Sequence, residues 1–292
     1  MNRSLLLILL AVISLFASSG APANLEGPYI APVVGALKNE TATFVAVGDF
    51  GVANEFETAV ARAMHGWTDT HGADAFLSLG DSVYPEAERK FFDASWTRPF
   101  NWVDRAGIPV IVALGNHDVE DGSSDDVMEF FDMPGPWYER TVGNVRVIVL
   151  DSNQVDDPNQ TEWLESTIAD QHSRWTIVVV HIPPYDCGRY NGNPKVRNLW
   201  APLFAGRATL VLSGHDHNYQ RFAPHEDVTY VVSGGGGDAF YELDDECVAE
   251  TPARLAGNDS KHHFLAIRAS KTQLEVLAIA ADGSIIDHFV VN

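Results

Sequence analysis

Five short motifs in this sequence of 292 residues carry side chains that bind metal ions or transfer protons, and four of them also contain glycine. In chain order they read GDFG (48–51), GDSVY (80–84), GNHD (115–118), VVVH (178–181) and GHDH (214–217). Their carboxylates, imidazoles, amide oxygen and phenol, without a thiolate, suit hard or borderline ions such as iron, manganese and zinc. Two such ions about 3.5–4 Å apart, bridged by a carboxylate, activate water for in-line displacement at phosphorus. The chemistry that these residues indicate is hydrolysis of a phosphate ester.

Each motif also has an ordinary structural interpretation when it is considered alone. A Gly–Asp pair after a strand is typical of a turn or a helix cap, and Tyr84 alone would indicate the core or its rim. Asn116 alone would indicate a turn, and His181 alone a hydrogen-bonded structural histidine. The pair His215 and His217 is more specific, because alternate residues of an extended segment point to the same side. All five motifs, present in this order, favour one shared site.

The elements that would position these motifs are short apolar runs that alternate with helical patterns. Candidate strands with continuous apolar character lie at 43–47, 75–79, 109–114, 145–150, 175–180 and 208–212. Such runs are typical of strands buried on both faces. Candidate helices lie at 55–64, 86–93 and 160–170. Each motif lies at the end of one of these strands, where the functional groups of open α/β sheets are found, so we expect the five loops to supply one site.

The last part of the sequence has a different pattern, with consecutive strands and no intervening helices. Candidate strands lie at 229–232, 263–269, 273–280 and 285–291, separated by turns such as Asp282-Gly283. Strands that alternate with helices, followed by consecutive strands, predict a mixed sheet, or two packed sheets with helices outside. Four glycines at 234–237 end one strand, and they fit either a flexible turn or a backbone that passes close to a ligand.

The first residues are interpreted as an export signal rather than as part of the fold. Arg3 precedes an apolar run from Leu5 to Ala17, and small residues continue to Ala23, after which we expect cleavage. The run is too short to span a bilayer, so we predict no membrane-spanning helix. The sequence therefore predicts a signal peptide at 1–23, a connector at 24–41, a single domain at 42–292, and a secreted or periplasmic location.

The charge balance argues against two classes of partner. Asp and Glu number 40 against 19 Lys and Arg, a net charge of −21, and loss of Arg3 leaves 18 against 40, or −22. Such a field disfavours nucleic acid and anionic lipid as partners. It fits a solubilising surface, a high-salt habitat or a locally acidic surface. The two cysteines, Cys187 and Cys247, predict one disulfide in an exported chain, and their loops are expected to shape the substrate entrance.

In this order the five motifs resemble the pattern GDxG, GDxxY, GNH plus an acidic residue, VxxH and GHxH of the metallophosphoesterase (calcineurin-like) superfamily. Within it they resemble the purple acid phosphatases, because many relatives begin with Asp-x-His, whereas this chain has Asp49-Phe50-Gly51 and offers Tyr84 in place of that histidine. The short stretch expected between the signal peptide and Asp49 resembles the small single-domain type. The resemblance covers roughly residues 41–292. It implies a four-layer α/β/β/α fold, in which two mixed β-sheets pack face to face, helices cover the outer faces and the ions lie at the strand ends.

The resemblance also implies a role for the polar residues of the motifs. It assigns Asp49, Tyr84 and His217 to the first ion, Asn116, His181 and His215 to the second ion, and Asp81 to a bridge between them. The first ion would be Fe(III), and the second Fe, Zn or Mn. His117 would help to place the phosphate and would protonate the leaving alkoxide without itself binding metal.

The function implied by the resemblance is hydrolysis of phosphate monoesters by a dinuclear centre of the acid phosphatase type. The same metals would also serve a phosphodiesterase or a nucleotide phosphohydrolase, because loop shape decides whether a second ester arm fits. The loop 183–196 is one region where specificity would differ. A third alternative is an exported binding protein that uses the fold without turnover. Such a protein has no need of seven metal ligands and an outer histidine.

Overall fold

The computed structural model describes residue 29 and residues 31–32, 40–122, 124–170 and 172–292. The signal peptide predicted at 1–23 lies outside the described residues, as does most of the connector predicted at 24–41. Within the described ranges, no helix is both long enough and apolar enough to cross a membrane. The two N-terminal assignments remain predictions from the sequence.

Thirteen strands and six α-helices occur in these ranges. In chain order the strands are β1 (Glu40–Val47), β2 (Ala75–Ser78), β3 (Val110–Val112), β4 (Tyr138–Val142), β5 (Val145–Leu150), β6 (Trp175–Val180), β7 (Leu210–Ser213), β8 (Tyr219–Phe222), β9 (Thr229–Ser233), β10 (Arg254–Asn258), β11 (His263–Ser270), β12 (Leu274–Ala280) and β13 (Ile285–Val291). The α-helices are α1 (Glu55–His71), α2 (Asn101–Ala106), α3 (Ser124–Phe130), α4 (Pro158–Ala169), α5 (Pro194–Leu199) and α6 (Ala201–Phe204). Short π and 3₁₀ turns cover Asp93–Thr97, Glu120–Gly122 and Ser152–Gln154.

The strands form two mixed sheets. In the first sheet the spatial order is β13-β12-β11-β1-β2-β3, and β1, β2 and β3 run parallel. In the second sheet the order is β10-β8-β9-β7-β6-β5-β4, and β9, β7, β6 and β5 run parallel. The strands that precede the five motifs all belong to these parallel sets, so in each sheet their carboxyl ends share one edge.

Three layers of apolar side chains hold the sheets and helices together. Phe44 of β1 lies in the cluster between the two sheets, whereas its neighbour Val45 lies in the cluster that also contains Trp67 of α1. In the second sheet, Val178 belongs to an outer cluster with Trp200, next to α5. Alternate residues of a strand point to opposite faces, so a strand covered on both faces reads as a continuous apolar run. The predicted four-layer α/β/β/α fold is confirmed.

Most of the predicted elements are observed, with one clear error. All ten predicted strands occur, three of them with the predicted ends (145–150, 175–180 and 285–291) and seven with shifted ends, and the helices predicted at 55–64 and 160–170 are α1 and α4. The helix predicted at 86–93 is wrong, because this segment forms turns. The Ala87 N–H donates to the His117 carbonyl at 3.2 Å, and the Glu88 N–H donates to the Glu86 carbonyl at 2.8 Å. Contact with the loop after β3 overrides the local helical pattern.

Glu57 places a carboxyl group in the core at the start of α1. The Asn54 side chain caps the helix by accepting from the Glu57 N–H at 2.9 Å. Glu57 Oε2 accepts from the Ala53 N–H, but Oε1 has no partner among the described residues. Burial raises the pKa of Glu57 to about 9, and the hydrogen bonds from Ala53 and Asn54 oppose this shift only in part. The folded protein therefore keeps this carboxyl protonated through neutral pH.

Glu57→Gln should stabilise the protein at neutral and alkaline pH. Between the ordinary pKa of 4.5 and the folded value of about 9, the unfolded chain loses a proton that the folded chain keeps. The stability of the parent therefore falls as pH rises, by up to about 1.4 kcal/mol per pH unit. In urea unfolding we expect the variant to gain about 2–4 kcal/mol at pH 8 and little at pH 4. An equal gain at both pH values would contradict the raised pKa.

Candidate metal centre

The five motif loops meet at the seam between the two sheets, beyond the carboxyl ends of the parallel strands. The first sheet contributes Asp49 after β1, Asp81 and Tyr84 after β2, and Asn116 after β3, and the second contributes His181 after β6 and His215 and His217 after β7. Donor atoms of Asp49, Asp81 and His181 lie within 4.8 Å of one another. The structure thus brings the predicted ligand residues together, and it does so only where the two sheets dock.

One group of donors at the seam consists of Asp49, Asp81, Tyr84 and His217. The Tyr84 hydroxyl donates to Asp81 Oδ2 at 3.0 Å and lies 3.4 Å from His217 Nε2. His217 Nε2 in turn lies 3.5 Å from Asp49 Oδ1. Metal–ligand bonds to nitrogen and oxygen are about 2.0–2.2 Å long. Two atoms that bind the same ion therefore lie farther apart than one such bond, at separations like the 3.0, 3.4 and 3.5 Å found here.

A second group of donors consists of Asp81, Asn116, His181 and His215. Asn116 Oδ1 lies 3.2 Å from His181 Nε2 and 2.9 Å from His215 Nδ1. His181 Nε2 lies 3.3 Å from Asp81 Oδ2. The same carboxylate oxygen of Asp81 therefore contacts members of both groups.

Hydrogen bonds on the far side of the ring orient two of these histidines. His181 Nδ1 lies 2.9 Å from the Leu79 carbonyl oxygen, and His217 Nδ1 lies 2.8 Å from the Ala239 carbonyl oxygen. Since a carbonyl only accepts, each neutral ring carries its proton on Nδ1 and turns the Nε2 lone pair toward the other donors. Metal-binding histidines are oriented in the same way. Ring orientation and donor chemistry both fit hard or borderline metal ions.

The buried carboxylates of this site depend on cationic neighbours. Burial raises the pKa of Asp49. Burial acts on Asp81 in the same sense, but His181 and His117 outweigh it and lower the Asp81 pKa. Reciprocally, burial would lower the pKa of His181, yet Asp81 raises it to about 10. Burial, followed by the charge of His181, lowers the pKa of His215 to about 3. Positive charge at the seam is what stabilises the ionised carboxylates, and bound metal ions would supply it.

Three of the predicted ligands adopt the left-handed backbone region, which residues other than glycine seldom occupy. The φ angles are 56° at Asp49, 53° at Asp81 and 69° at His215. Conformations of this kind persist where the surrounding structure enforces them, often at functional sites. Sequence reasoning missed this feature, and the available signal is the glycine that precedes each of the three residues.

The four glycines at 234–237 pack closely against the backbone beside the site. A Cβ atom at Gly234 would lie 2.3 Å from the Asp216 carbonyl oxygen, and one at Gly236 would lie 2.4 Å from the Gly48 carbonyl oxygen. Only glycine allows an approach of this kind. A Cβ atom at Gly234 would also lie 2.8 Å from Asp49 Oδ2, so this run lies directly beside a predicted metal ligand.

His117 borders both groups of donors. Its backbone N–H donates to Asp81 Oδ1 at 2.9 Å, and its Nδ1 lies 2.7 Å from the Pro85 carbonyl oxygen. The ring centroid lies 4.4 Å from that of Tyr84. Because the Pro85 carbonyl accepts a hydrogen bond from the Nδ1–H group, Nε2 is the ring nitrogen that remains to contact a substrate. The side chain is half-buried, so this atom is open to a substrate at the surface.

Asp118, for which sequence reasoning gave no role, ties two motif loops together. Its Oδ1 accepts from the Ser82 N–H at 2.9 Å, and its Oδ2 accepts from the Gly115 N–H at 2.9 Å. The side chain is completely buried. These bonds hold the loops after β2 and β3 at a fixed separation. The acidic residue after Gly-Asn-His is the signal that would have found it.

Cys187 and Cys247 form the predicted disulfide, with a sequence separation of 60. The bond joins the loop after β6 to the loop after β9. Around it, the Cys187 carbonyl accepts from the Asp244 N–H at 3.1 Å and from Arg254 Nη1 at 2.9 Å. The bond and its neighbours hold the two loops together beside the histidine motif.

Replacing both cysteines by serine should lower stability and alter KM without removing metal ions. In the chain-entropy treatment, opening a loop of this length costs about 4 kcal/mol. The predicted ligands lie at strand ends rather than on the joined loops, so metal content should stay at the parent value. Thermal melts, KM for an aryl phosphate and elemental analysis measure the three quantities. Loss of the ions together with the disulfide would show that the loops help to hold them.

Comparisons with known proteins agree with this geometry. Residues 42–219 match the sequence profile of the calcineurin-like phosphoesterase family. Tartrate-resistant acid phosphatase type 5 of Mus musculus is 30% identical over 245 residues, which cover 69% of this chain and 74% of that protein.

Two solved structures have the same fold. Purple acid phosphatase PPD1 from yellow lupin (Lupinus luteus) seeds aligns with a TM-score of 0.70 and 18% identity over 87% of this chain and 54% of that chain. GAP50, the anchor in the inner membrane complex of Plasmodium, aligns with a TM-score of 0.75 and 17% identity over 87% of this chain and 89% of that chain. At such identities the likeness shows the fold alone, and one fold serves both an anchor and a phosphatase.

Proposed function

Because the chain belongs to the calcineurin-like phosphoesterase family, we propose that it is a phosphatase that hydrolyses phosphate monoesters at a centre of two metal ions. Family membership and the similarity to an acid phosphatase support a metal-dependent phosphoesterase. The preference for monoesters over diesters, the acid phosphatase type and the ligand roles are the proposed part.

The observation that carries this proposal is the position of Asp81. Its Oδ2 lies 3.0 Å from the Tyr84 hydroxyl and 3.3 Å from His181 Nε2, which belong to different groups of donors. A carboxylate that contacts both groups of donors is well placed to bridge two metal ions. We therefore assign Asp49, Tyr84 and His217 to one ion, Asn116, His181 and His215 to the other, and Asp81 to both. The phenol favours Fe(III) in the first position, with Fe, Zn or Mn in the second.

When bound, such an ion pair activates water and stabilises the charge of in-line displacement at phosphorus. The chain itself supplies the groups around the phosphate. In its imidazolium form His117 carries a proton on each ring nitrogen. As the bond from phosphorus to the leaving oxygen breaks, Nε2 gives its proton to that oxygen, and the neutral ring that remains keeps its Nδ1–H on the Pro85 carbonyl. Asp118 keeps the loop that carries His117 beside the loop that carries Asp81.

We further propose that residues 42–292 act as one catalytic domain and that the protein is secreted or periplasmic after removal of residues 1–23. The disulfide supports an oxidising compartment. The expected substrate is a small phosphate ester rather than nucleic acid or a membrane surface, because the acidic chain repels both.

Rates on two substrates with the same leaving group test the proposed reaction. With metal-loaded protein, we expect kcat/KM for 4-nitrophenyl phosphate to exceed that for bis(4-nitrophenyl) phosphate by about tenfold or more. The reverse order would favour the phosphodiesterase alternative. Failure to hydrolyse either ester, in protein that holds two ions, would favour the binding-protein alternative.

Tyr84→Phe should remove the visible absorption of the iron-loaded protein while the fold survives. Burial, followed by Asp81 and Asp49, raises the pKa of Tyr84, so the charge of a bound ion is needed to form the phenolate. Without the phenol oxygen, charge transfer from tyrosinate to Fe(III) is lost. Visible and circular dichroism spectra measure both effects, and Tyr241→Phe, at a nearby tyrosine, is the matched control. Colour that persists in Tyr84→Phe would assign the absorption to another residue.

A further inference from the structure

An arginine and two tyrosines lie against the histidine motif, outside the donor groups. The Tyr190 ring stacks on the His215 ring with centroids 4.3 Å apart, and the Tyr241 ring stacks on the His217 ring at 4.2 Å. The Arg189 guanidinium carbon lies 4.3 Å from the Tyr241 ring centroid and 5.5 Å from that of Tyr190. These three residues are called the Arg189 cluster below. Arg189 and Tyr190 lie in the loop 183–196, which the sequence indicates as a region of specificity, but no motif points to these three residues.

Both loops that carry the Arg189 cluster are fixed to the histidine motif. In the loop of Arg189, Gly188 packs against the motif: a Cβ atom there would lie 2.5 Å from Asp216 Oδ2. The Tyr241 N–H donates to the His217 carbonyl at 3.2 Å, and the Tyr241 carbonyl accepts from Asn218 Nδ2 at 3.3 Å. The rings of the two tyrosines pack edge to face with centroids 5.9 Å apart, and the disulfide joins their loops. A group held in this way loses little entropy when a ligand binds.

The guanidinium of Arg189 is open to a ligand. Arg189 is exposed, and among the described residues no carboxylate forms an ion pair with it. Asp238, in the loop that carries Tyr241, contacts His217 instead, with its Oδ2 3.7 Å from His217 Nδ1. Stacking on Tyr241 holds the plane of the guanidinium while its N–H groups stay available.

We propose that Arg189 forms a subsite for a second anionic group on the substrate. The subsite would receive a carboxylate or a further phosphate carried by the alcohol part of the ester, since a guanidinium pairs with either through two parallel hydrogen bonds. This inference rests on the proposed phosphatase function and names its substrate class: phosphate monoesters whose leaving group carries its own negative charge. The negative charge of the protein repels such substrates, so the positive charge of Arg189 beside the metal centre has a large relative effect on their binding.

Three aryl phosphates and the variant Arg189→Gln test the subsite. Phenyl phosphate has no second charge, 4-carboxyphenyl phosphate has one, and the methyl ester of the latter has the same shape without the charge. In Arg189→Gln we expect kcat/KM for the carboxylate to fall by about 3- to 10-fold, with less than about 2-fold change for the other two. Salt should reduce the parent's preference for the carboxylate. Lys195→Gln removes a charge from the start of α5, which follows the loop of Arg189, at a residue that pairs with Asp156, and it should leave the preference intact.

Binding measured without turnover separates this inference from the proposed reaction. Calorimetry of benzenephosphonate and 4-carboxybenzenephosphonate with the metal-loaded protein should show the same preference, and Arg189→Gln should remove it. A parent that binds the carboxylated compound more tightly but hydrolyses no ester would contradict the proposed reaction and keep the subsite. If Arg189→Gln weakens all compounds equally, or none of them, the subsite is wrong whatever the protein hydrolyses.

Discussion

Asp81→Asn should remove turnover and metal ions together. The substitution replaces the carboxylate whose Oδ2 contacts Tyr84 and His181, so it takes away the one negative charge that both ions would share. We expect kcat/KM for an aryl phosphate to fall by at least about 10³-fold, because both positioning and charge stabilisation are lost. Elemental analysis of the purified variant should show fewer than two ions per chain. Activity and metal content are measured on the same preparation.

Glu57→Gln is the matched control for Asp81→Asn. It makes the same change from carboxyl to amide at another buried position, but Glu57 contacts the start of α1 rather than the donor groups. This control should keep parent turnover and both ions. An Asp81→Asn protein with two ions and full turnover would overturn the assignment of the bridge, and with it the proposed site.

His117→Ala should lower turnover by about 10²- to 10⁴-fold while both ions remain, the range of a well-placed general acid. The side chain of His117 contacts the Pro85 carbonyl and the Tyr84 ring, whereas only its backbone N–H contacts Asp81. Removing the ring therefore leaves the donor groups in place. The loss should be large for alkyl phosphates, whose leaving oxygen needs a proton. It should be smaller for 4-nitrophenyl phosphate, whose leaving group departs as an anion.

The comparison of leaving groups distinguishes two roles for His117. Equal loss for alkyl and aryl phosphates would contradict proton donation and assign the imidazole to electrostatic placement of the phosphate. His65→Ala is a control, because His65 is an exposed histidine that stacks on Trp102 away from the seam. Elemental analysis of His117→Ala checks that the loss of rate is not a loss of ions.

Most of the strands could be predicted because a strand that is buried on both faces is apolar along nearly its whole length. Runs such as 145–150 and 175–180 contain almost only apolar residues, and the structure shows them as central strands. Strands β4, β8 and β10 were missed. β4 and β10 lie at sheet edges and expose alternate or most residues, and β8 has only four residues, two of them polar. Their mixed sequences carry little signal without knowledge of the neighbouring strand.

The predicted ligands could be found from the sequence for a related reason. Each lies in a short motif at the end of a buried strand, so the topology alone brings the motifs to one edge. The Arg189 cluster could not be found in this way. Tyr190 and Tyr241 are 51 positions apart, in loops without periodicity, and only the folded loops bring both rings onto the histidine motif. The helix wrongly predicted at 86–93 has the same origin, because the hydrogen bond from Ala87 to His117 is a long-range contact.

The position of the metal centre at the seam has a consequence for how the protein assembles. Each group of donors draws residues from both sheets, so neither sheet alone presents a complete set of ligands for either ion. Ions that bind the docked sheets but not the separate ones favour the docked state by mass action. The two proposed ions would therefore find complete ligand sets only in a chain whose two sheets have docked. In a cell, the catalytic chemistry would thus be switched on by the same event that completes assembly.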